Sequence, residues 1–221
     1  MILPTMTLAE AADAVRREAG ASKQKIFDIL VRFGQAVKRQ PLRATFPMSR
    51  DYTFTSRYRT TFYVRCTARR RSDWDKPLFT VWTPFHMRGG LFSALLTENG
   101  SVFVLTAHFF ERYRERVLTG STLGANDLIS EFHRRNTNIS LSLDYTRFSD
   151  NFSKYEKSDT RQLAARVPDG NCFGEQLGPQ TFVFRTIVTD AMLGDGQDVA
   201  FERLERYRED KQREKRSYRV V

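Results

Sequence analysis

The N-terminal part of the chain carries apolar residues at the spacing of a helix. Between residues 7 and 39 they recur at steps of three and four, and Gly20 divides the stretch into two pieces. Thr7 and Ser22 have the short hydroxyl side chains that cap helix N-termini, and two prolines follow the last apolar residue. The pattern predicts two helices, which form a helical N-terminal appendage over residues 1–47.

The period then changes to the two-residue alternation of β-strands, with many β-branched and aromatic residues. A turn is expected at Asn99-Gly100, because this pair accepts the positive φ of a tight hairpin. We predict an antiparallel meander, followed directly by a helix. Its predicted strands are residues 52–59, 60–70, 78–83, 90–97 and 101–106.

Residues 106–117 return to the helical period and have two unlike faces. One face is apolar and is predicted to be buried: Phe109, Phe110, Tyr113 and Val117. The other holds the charged side chains: His108, Glu111, Arg112, Glu115 and Arg116. A second helix is expected over residues 128–135, after two glycines that end the first.

The C-terminal half predicts short strands, a long polar loop and a charged helix. Strands are expected at residues 139–143, 161–167 and 181–188, a loop at 144–160, and the helix at 198–216. Turns are expected at 168–170 and through the glycines of 170–174. The predicted fold class is α+β: a mainly antiparallel twisted sheet packed by a few helices. Residues 48–221 are predicted to form a single α+β domain.

The amino-acid composition indicates a sizeable apolar core and a strong positive charge. The chain is 40% apolar and has 18 Phe and 8 Tyr, enough for a sizeable core. Its net charge of +10 attracts polyanions, so RNA is the first partner expected, although a basic surface also serves solubility alone. Cys66 and Cys172 are too few for a disulfide framework or a zinc site. The N-terminus lacks the pattern of a secretory signal and no apolar run reaches the roughly 20 residues of a membrane span, which predicts a cytoplasmic protein without membrane association.

Residues 50–71 combine seven arginines with several aromatic residues and only one acid, Asp51. Arginines that hold phosphates beside aromatic rings that stack on bases are typical of single-stranded RNA recognition. One face of these strands must still pack against the core, so some of the aromatic side chains are expected to be buried. The candidate RNA-binding residues are Arg57, Tyr58, Arg59, Tyr63 and Arg65.

The charged face of residues 106–117 is the candidate catalytic site. His108 can give or take a proton near neutral pH, and Arg112 and Arg116 can stabilise negative charge on a phosphate. Thr186, on a later strand, offers a hydroxyl to the same phosphate. The alternative is that His108 caps the helix and its charged neighbours form a surface ion lattice. The three histidines lie at no metal-ligand spacing, so neither a metal site nor a cofactor is predicted.

The order of a strand, the helix with His108, Arg112 and Arg116, a second helix and a strand with Thr186 resembles the small ribonuclease toxins of the barnase, EndoU, colicin and RelE-like group. The resemblance covers roughly residues 100–190. It implies a compact α+β fold that cuts RNA without metal, with His108 as acid or base and Arg112, Arg116 and Thr186 on the phosphate. It also implies a cognate protein inhibitor as a possible partner.

Three functions follow from these patterns. The first is RNA binding, with or without cleavage of the bound RNA as a metal-independent endoribonuclease of toxin type, through attack of the 2′-hydroxyl. The second is a non-catalytic nucleic-acid-binding or assembly protein of phage or mobile-element type. The third is a protein-interaction module that uses the aromatic-rich sheet and the charged C-terminal helix.

Overall fold

Helices cover both faces of one mixed β-sheet. The structure is a computed structural model, and it describes residues 2–137, 140–142 and 161–193. The helices among these residues are α1 (Leu8–Ala21), α2 (Lys23–Lys38), α3 (Ala107–Arg116) and α4 (Ala125–Arg135), and short 3-10 turns lie at Arg71–Trp74 and Asp190–Met192. The strands are β1 (Met48–Thr55), β2 (Thr61–Ala68), β3 (Leu78–Met87), β4 (Gly90–Leu96), β5 (Val102–Leu105), β6 (Ser140–Ser142), β7 (Arg161–Val167), β8 (Gly170–Gly178) and β9 (Thr181–Val188).

The described strands pair in the order β1-β2-β3-β4-β5-β9-β8-β7-β6. Every pairing is antiparallel except that of β5 with β9. The predicted α+β class and the antiparallel meander are therefore confirmed. The connection from β5 to β9 contains α3 and α4; α3 lies mainly on β9, and α4 lies on β3 and β4.

Two apolar cores form, one on each face of the sheet. On the first face, α1 and α2 pack through Val15, Ile29 and Phe33 against alternate residues of β2 and other strands. On the second face, α3 and α4 pack through Phe109, Tyr113 and Phe132 against β5, β7, β8 and β9. The helices of the N-terminal segment thus share a core with the sheet. The domain boundary proposed at residue 47 stays a prediction.

Two strands extend where the sequence indicated turns or loops. Residues 170–174 belong to β8, not to a turn: Gly174 permits a close approach to β9, where an added Cβ would lie 1.8 Å from the carbonyl oxygen of Val183. β3 continues through Pro84 to Met87, so His86 lies on a strand rather than in a loop. Pro84 is tolerated because the paired residues of β2 and β3 end at Tyr63 and Trp82, before this proline.

The predicted loop at 144–160 and the predicted charged helix at 198–216 lie outside the described residues. Among the described residues, none of the helices has the length and apolar character that a membrane crossing requires.

Candidate functional site

The predicted catalytic helix begins where expected. Thr106 adopts an extended conformation, and its hydroxyl accepts a hydrogen bond from the backbone N–H of Phe109, so α3 starts directly after β5. Phe109, Phe110 and Tyr113 are buried. The cap belongs to Thr106 rather than to His108, and the imidazole of His108 lies on the exposed face of the helix.

His108 contacts two charged neighbours on that face. The Nε of Arg112 donates to Nε2 of His108 at 3.4 Å, and Nδ1 of His108 lies 3.2 Å from the carboxylate of Glu111. The proton of a neutral ring then sits on Nδ1, because Nε2 accepts from the guanidinium. Arg112 also donates to Glu115 at 2.7 Å. His108 and Arg112 are therefore together, but within an ion lattice in which each already has protein partners.

Arg116 and Thr186 meet one turn further along α3. The Nη1 of Arg116 donates to Oγ1 of Thr186 at 3.1 Å and to the carbonyl oxygen of Ile187 at 2.7 Å. Burial lowers the pKa of Arg116, the positive charge of Arg112 lowers it further, and Glu115 raises it in part. These contacts fasten the C-terminal half of α3 to the end of β9. Three of the predicted catalytic residues, His108, Arg112 and Arg116, thus follow one another at four-residue steps along α3, and the fourth, Thr186 of β9, accepts a hydrogen bond from Arg116.

The predicted RNA-binding residues divide between two places. The first is the turn between β1 and β2, which we call the hairpin tip and which contains Arg57, Tyr58 and Arg59. Its backbone closes through hydrogen bonds from Arg59 to Ser56 and from Ser56 to Thr60, with Arg59 at φ 65°. The hydroxyl of Ser56 donates to the buried carboxylate of Glu18 at 2.6 Å. This contact anchors the hairpin tip to α1.

An aromatic ring and a guanidinium stack at the hairpin tip. The guanidinium carbon of Arg57 lies 4.6 Å from the centre of the Tyr58 ring, and its Nη2 donates to the Tyr58 hydroxyl. Tyr58 keeps 45% of its surface exposed. Both side chains line a cavity of about 320 Å³ together with residues of α1. The α1 residues of this cavity are Ala14, Arg17, Glu18 and Ala21.

Tyr63 and Arg65 lie elsewhere, because β2 alternates between the two faces of the sheet. Phe62 and Val64 face the first core, whereas Tyr63 packs beside the second core and stacks on Trp82 with ring centres 5.6 Å apart. Arg65 pairs with Asp51 on the neighbouring strand at 2.8 Å. These two candidates are therefore separated from Arg57, Tyr58 and Arg59.

The positive charge of the chain is distributed unevenly. Residues 1–71 contain 15 Lys and Arg against five Asp and Glu, so their net charge of +10 equals that of the whole chain. Residues 72–221 have no net charge. The first 71 residues include α1, α2, β1 and β2. The hairpin tip therefore lies within the basic part of the protein.

Sequence reasoning missed the α1 residues that line the cavity beside the hairpin tip, and Arg17 is the basic residue among them. It lies on the exposed side of α1, near the turn of a hairpin forty residues later in the chain. The helical pattern places Arg17 on a polar face but gives no sign that a hairpin reaches it.

Comparison of the chain with models of known protein families, with curated proteins and with solved structures finds no match.

Proposed function

We propose that the protein binds single-stranded RNA at the hairpin tip, through Arg57, Tyr58, Arg59 and the neighbouring Arg17. The observation that carries the proposal is the stacked Arg57–Tyr58 pair, which is exposed beside a cavity of about 320 Å³. A guanidinium and an aromatic ring held side by side offer one partner for a phosphate and one for a base.

The contacts that hold the hairpin tip in place support this proposal. The bond from Ser56 to Glu18 and the left-handed conformation of Arg59 hold the turn in one shape. Arg57 lies on the ring of Tyr58, so the two side chains are placed together at the same position of the turn. The positive charge of residues 1–71 attracts the RNA backbone to the same part of the molecule.

The test is fluorescence anisotropy of a labelled single-stranded RNA, titrated with the full chain at several salt concentrations. Tyr58→Ala is expected to weaken binding about 5- to 100-fold, because stacking contributes about 1–3 kcal/mol per base. Arg57→Gln is expected to weaken binding and to reduce the salt dependence by about one counterion. Lys76→Gln is the matched control, since Lys76 is exposed beyond the other end of β2 and its loss lowers the net charge equally.

Equal losses of affinity in Arg57→Gln and Lys76→Gln, together with unchanged affinity in Tyr58→Ala, would contradict the proposal, because they would indicate attraction by net charge alone. Tyr58→Phe separates the ring from its hydroxyl. It is expected to retain most of the affinity, since the aromatic face remains.

The contact of His108 with Arg112 favours a second candidate function, cleavage of the bound RNA. When a 2′-hydroxyl attacks the neighbouring phosphate, an imidazole can act as the acid or base, and a guanidinium beside it can stabilise the negative charge on the phosphate. For Nε2 to act as a base, Arg112 must release it. Incubation of the chain with single-stranded RNA and EDTA is expected to give 2′,3′-cyclic phosphate ends, and none with His108→Ala. Intact RNA that the protein nevertheless binds would exclude cleavage and leave binding as the function.

A further inference from the structure

β1 is an edge strand whose outer side is open among the described residues. It comes first in the strand order, is eight residues long and pairs with β2 without a bulge. Long flat edges are unusual, because proteins shorten, bend or cover such strands to prevent unwanted pairing. β1 is neither short nor interrupted by a bulge, and its neighbouring proline, Pro47, precedes the strand.

The register identifies the backbone groups that point outward. The backbone N–H of Ser56 donates to the carbonyl oxygen of Thr60. Two and four residues before Ser56, Phe54 pairs with Phe62 and Tyr52 pairs with Val64 across the two strands. In an antiparallel pair, bonded and non-bonded positions alternate. The N–H and C=O groups of the intervening residues therefore point away from β2, and all four residues are exposed. They are Ser49, Asp51, Thr53 and Thr55, which we call the outer edge.

One outward group already has a partner, and that partner is basic. The Nζ of Lys25 on α2 donates to the carbonyl oxygen of Thr55 at 2.8 Å. Within the described part of the chain, it is the one side chain bonded to the outward backbone groups of Ser49, Asp51, Thr53 and Thr55. The flank of α2 that carries Lys25 therefore faces the outer edge.

The same flank carries basic residues from Lys25 on α2 to Arg39, the residue that follows the helix. Arg32 and Arg39 follow Lys25 at steps of seven residues, which return to nearly the same side of a helix, and all three are exposed. We call these three residues the basic stripe. Arg50, exposed on β1, adds a fourth positive charge at this margin of the sheet. A strand added beside β1 would lie next to the basic stripe.

We propose that an acidic peptide of a protein partner binds in extended form along the outer edge, as an additional antiparallel or parallel strand. Its backbone would bond to Ser49, Asp51 and Thr53, and its alternate acidic side chains would face Lys25 and Arg32. RNA has no backbone that continues a β-ladder. A second copy of this chain is disfavoured, because residues 1–71 of both copies carry a net charge of +10. The inference is independent of RNA binding at the hairpin tip.

Amide hydrogen exchange of the full chain, followed by NMR, tests the proposal directly. The probe is a blocked peptide in which Glu and Val alternate, and the control is the same peptide with Lys in place of Glu. In the free protein, the amides of Ser49, Asp51 and Thr53 are expected to exchange fast, while those of Tyr52 and Phe54 exchange slowly. The Glu peptide is expected to slow the three fast amides at least tenfold, and the Lys peptide is expected to leave them unchanged.

Two variants separate the backbone from the charge. Thr53→Pro removes one outward N–H, and Arg32→Glu reverses a charge of the basic stripe without altering β1. Each is expected to weaken binding of the Glu peptide at least tenfold, and circular dichroism reports whether each remains folded. Slow exchange of the outward amides in the free protein would overturn the proposal, because the outer edge would already be covered. Equal protection by single-stranded RNA, or binding unaffected by Arg32→Glu, would overturn it as well.

Discussion

His133 is the most buried of the three histidines. It is fully buried on α4, its Nε2 lies 2.8 Å from the hydroxyl of Ser93, and its ring stacks on Trp82 with centres 4.9 Å apart. Nδ1 has no hydrogen-bond partner among the described residues. Burial lowers the pKa of His133 to about 3, because a charged imidazolium would lose its contact with water there.

Acid is therefore expected to destabilise the protein through this one residue. The unfolded chain takes up a proton at His133 as the pH falls below about 6.5, whereas the folded chain stays neutral there until about pH 3. Between these values the free energy of unfolding is expected to fall by about 1.4 kcal/mol per pH unit from this group. Urea unfolding at several pH values measures it.

His133→Phe should remove this part of the pH dependence, because phenylalanine does not titrate. Ile129→Val, in the same core, is the control and is expected to lower the stability equally at every pH. A His133→Phe protein that loses stability with acid as steeply as the original would contradict the assignment.

The pairing of β8 with β9 depends on the absence of a side chain at Gly174. A Cβ there would lie 1.8 Å from the carbonyl oxygen of Val183 and 2.9 Å from Cα of Phe184. Both strands would have to move apart, so Gly174→Ala is expected to reduce the free energy of unfolding by about 3 kcal/mol or more. Thermal unfolding measures the change.

Gly20 provides the opposite case for the same substitution. It lies near the end of α1, and an added Cβ would meet nothing within 4 Å. Gly20→Ala is expected to stabilise the protein by about 0.5–1 kcal/mol, because alanine loses less backbone freedom on folding. Similar effects of Gly174→Ala and Gly20→Ala would contradict the close approach of β8 and β9.

Asp169 connects the turn between β7 and β8 to α3 and α4. Its carboxylate accepts hydrogen bonds from Tyr113 of α3 at 2.6 Å, from Arg135 of α4 at 2.9 Å and from Asn136 at 2.9 Å. Burial opposes its ionisation, but these hydrogen bonds lower the pKa of Asp169 overall. Burial and the bond to Asp169 raise the pKa of Tyr113.

Asp169→Ala is expected to cost about 3 kcal/mol of stability, because it leaves three donors without their shared acceptor. Asp13→Ala removes an exposed carboxylate that pairs with Arg16 and is expected to cost less than about 1 kcal/mol. Chemical unfolding of both variants at neutral pH gives the comparison. Equal costs would show that the network around Asp169 does not hold α3 and α4 to the turn.

Sequence pattern predicts those elements whose signals are local. The cap at Thr106 and the apolar face with Phe109 and Tyr113 are enough to place α3, and the four-residue step brings His108 to Arg112. The contact of Arg116 with Thr186 comes from the packing of α3 on β9, which no local pattern contains. From the sequence alone, the glycines of β8 suggest a turn. In the structure they allow a close approach between neighbouring strands, and the sequence does not show which strands are neighbours.

At the scale of the whole molecule, the basic part of the chain and the candidate catalytic residues are separate. The basic residues 1–71 include the hairpin tip, the outer edge and the basic stripe. His108 and the other candidate catalytic residues belong to the part of the chain that is neutral in sum. RNA attracted by charge is therefore expected to meet the hairpin tip before it reaches α3.

Photo-crosslinking of single-stranded RNA that contains 4-thiouridine, followed by mass spectrometry of the digested protein, tests RNA binding at the hairpin tip most directly. The strongest crosslink is predicted in the peptide with Tyr58, and it should disappear in Tyr58→Ala while Lys76→Gln keeps it. Crosslinks spread over the basic residues 1–71 without preference, or concentrated on α3 near His108, would contradict the account.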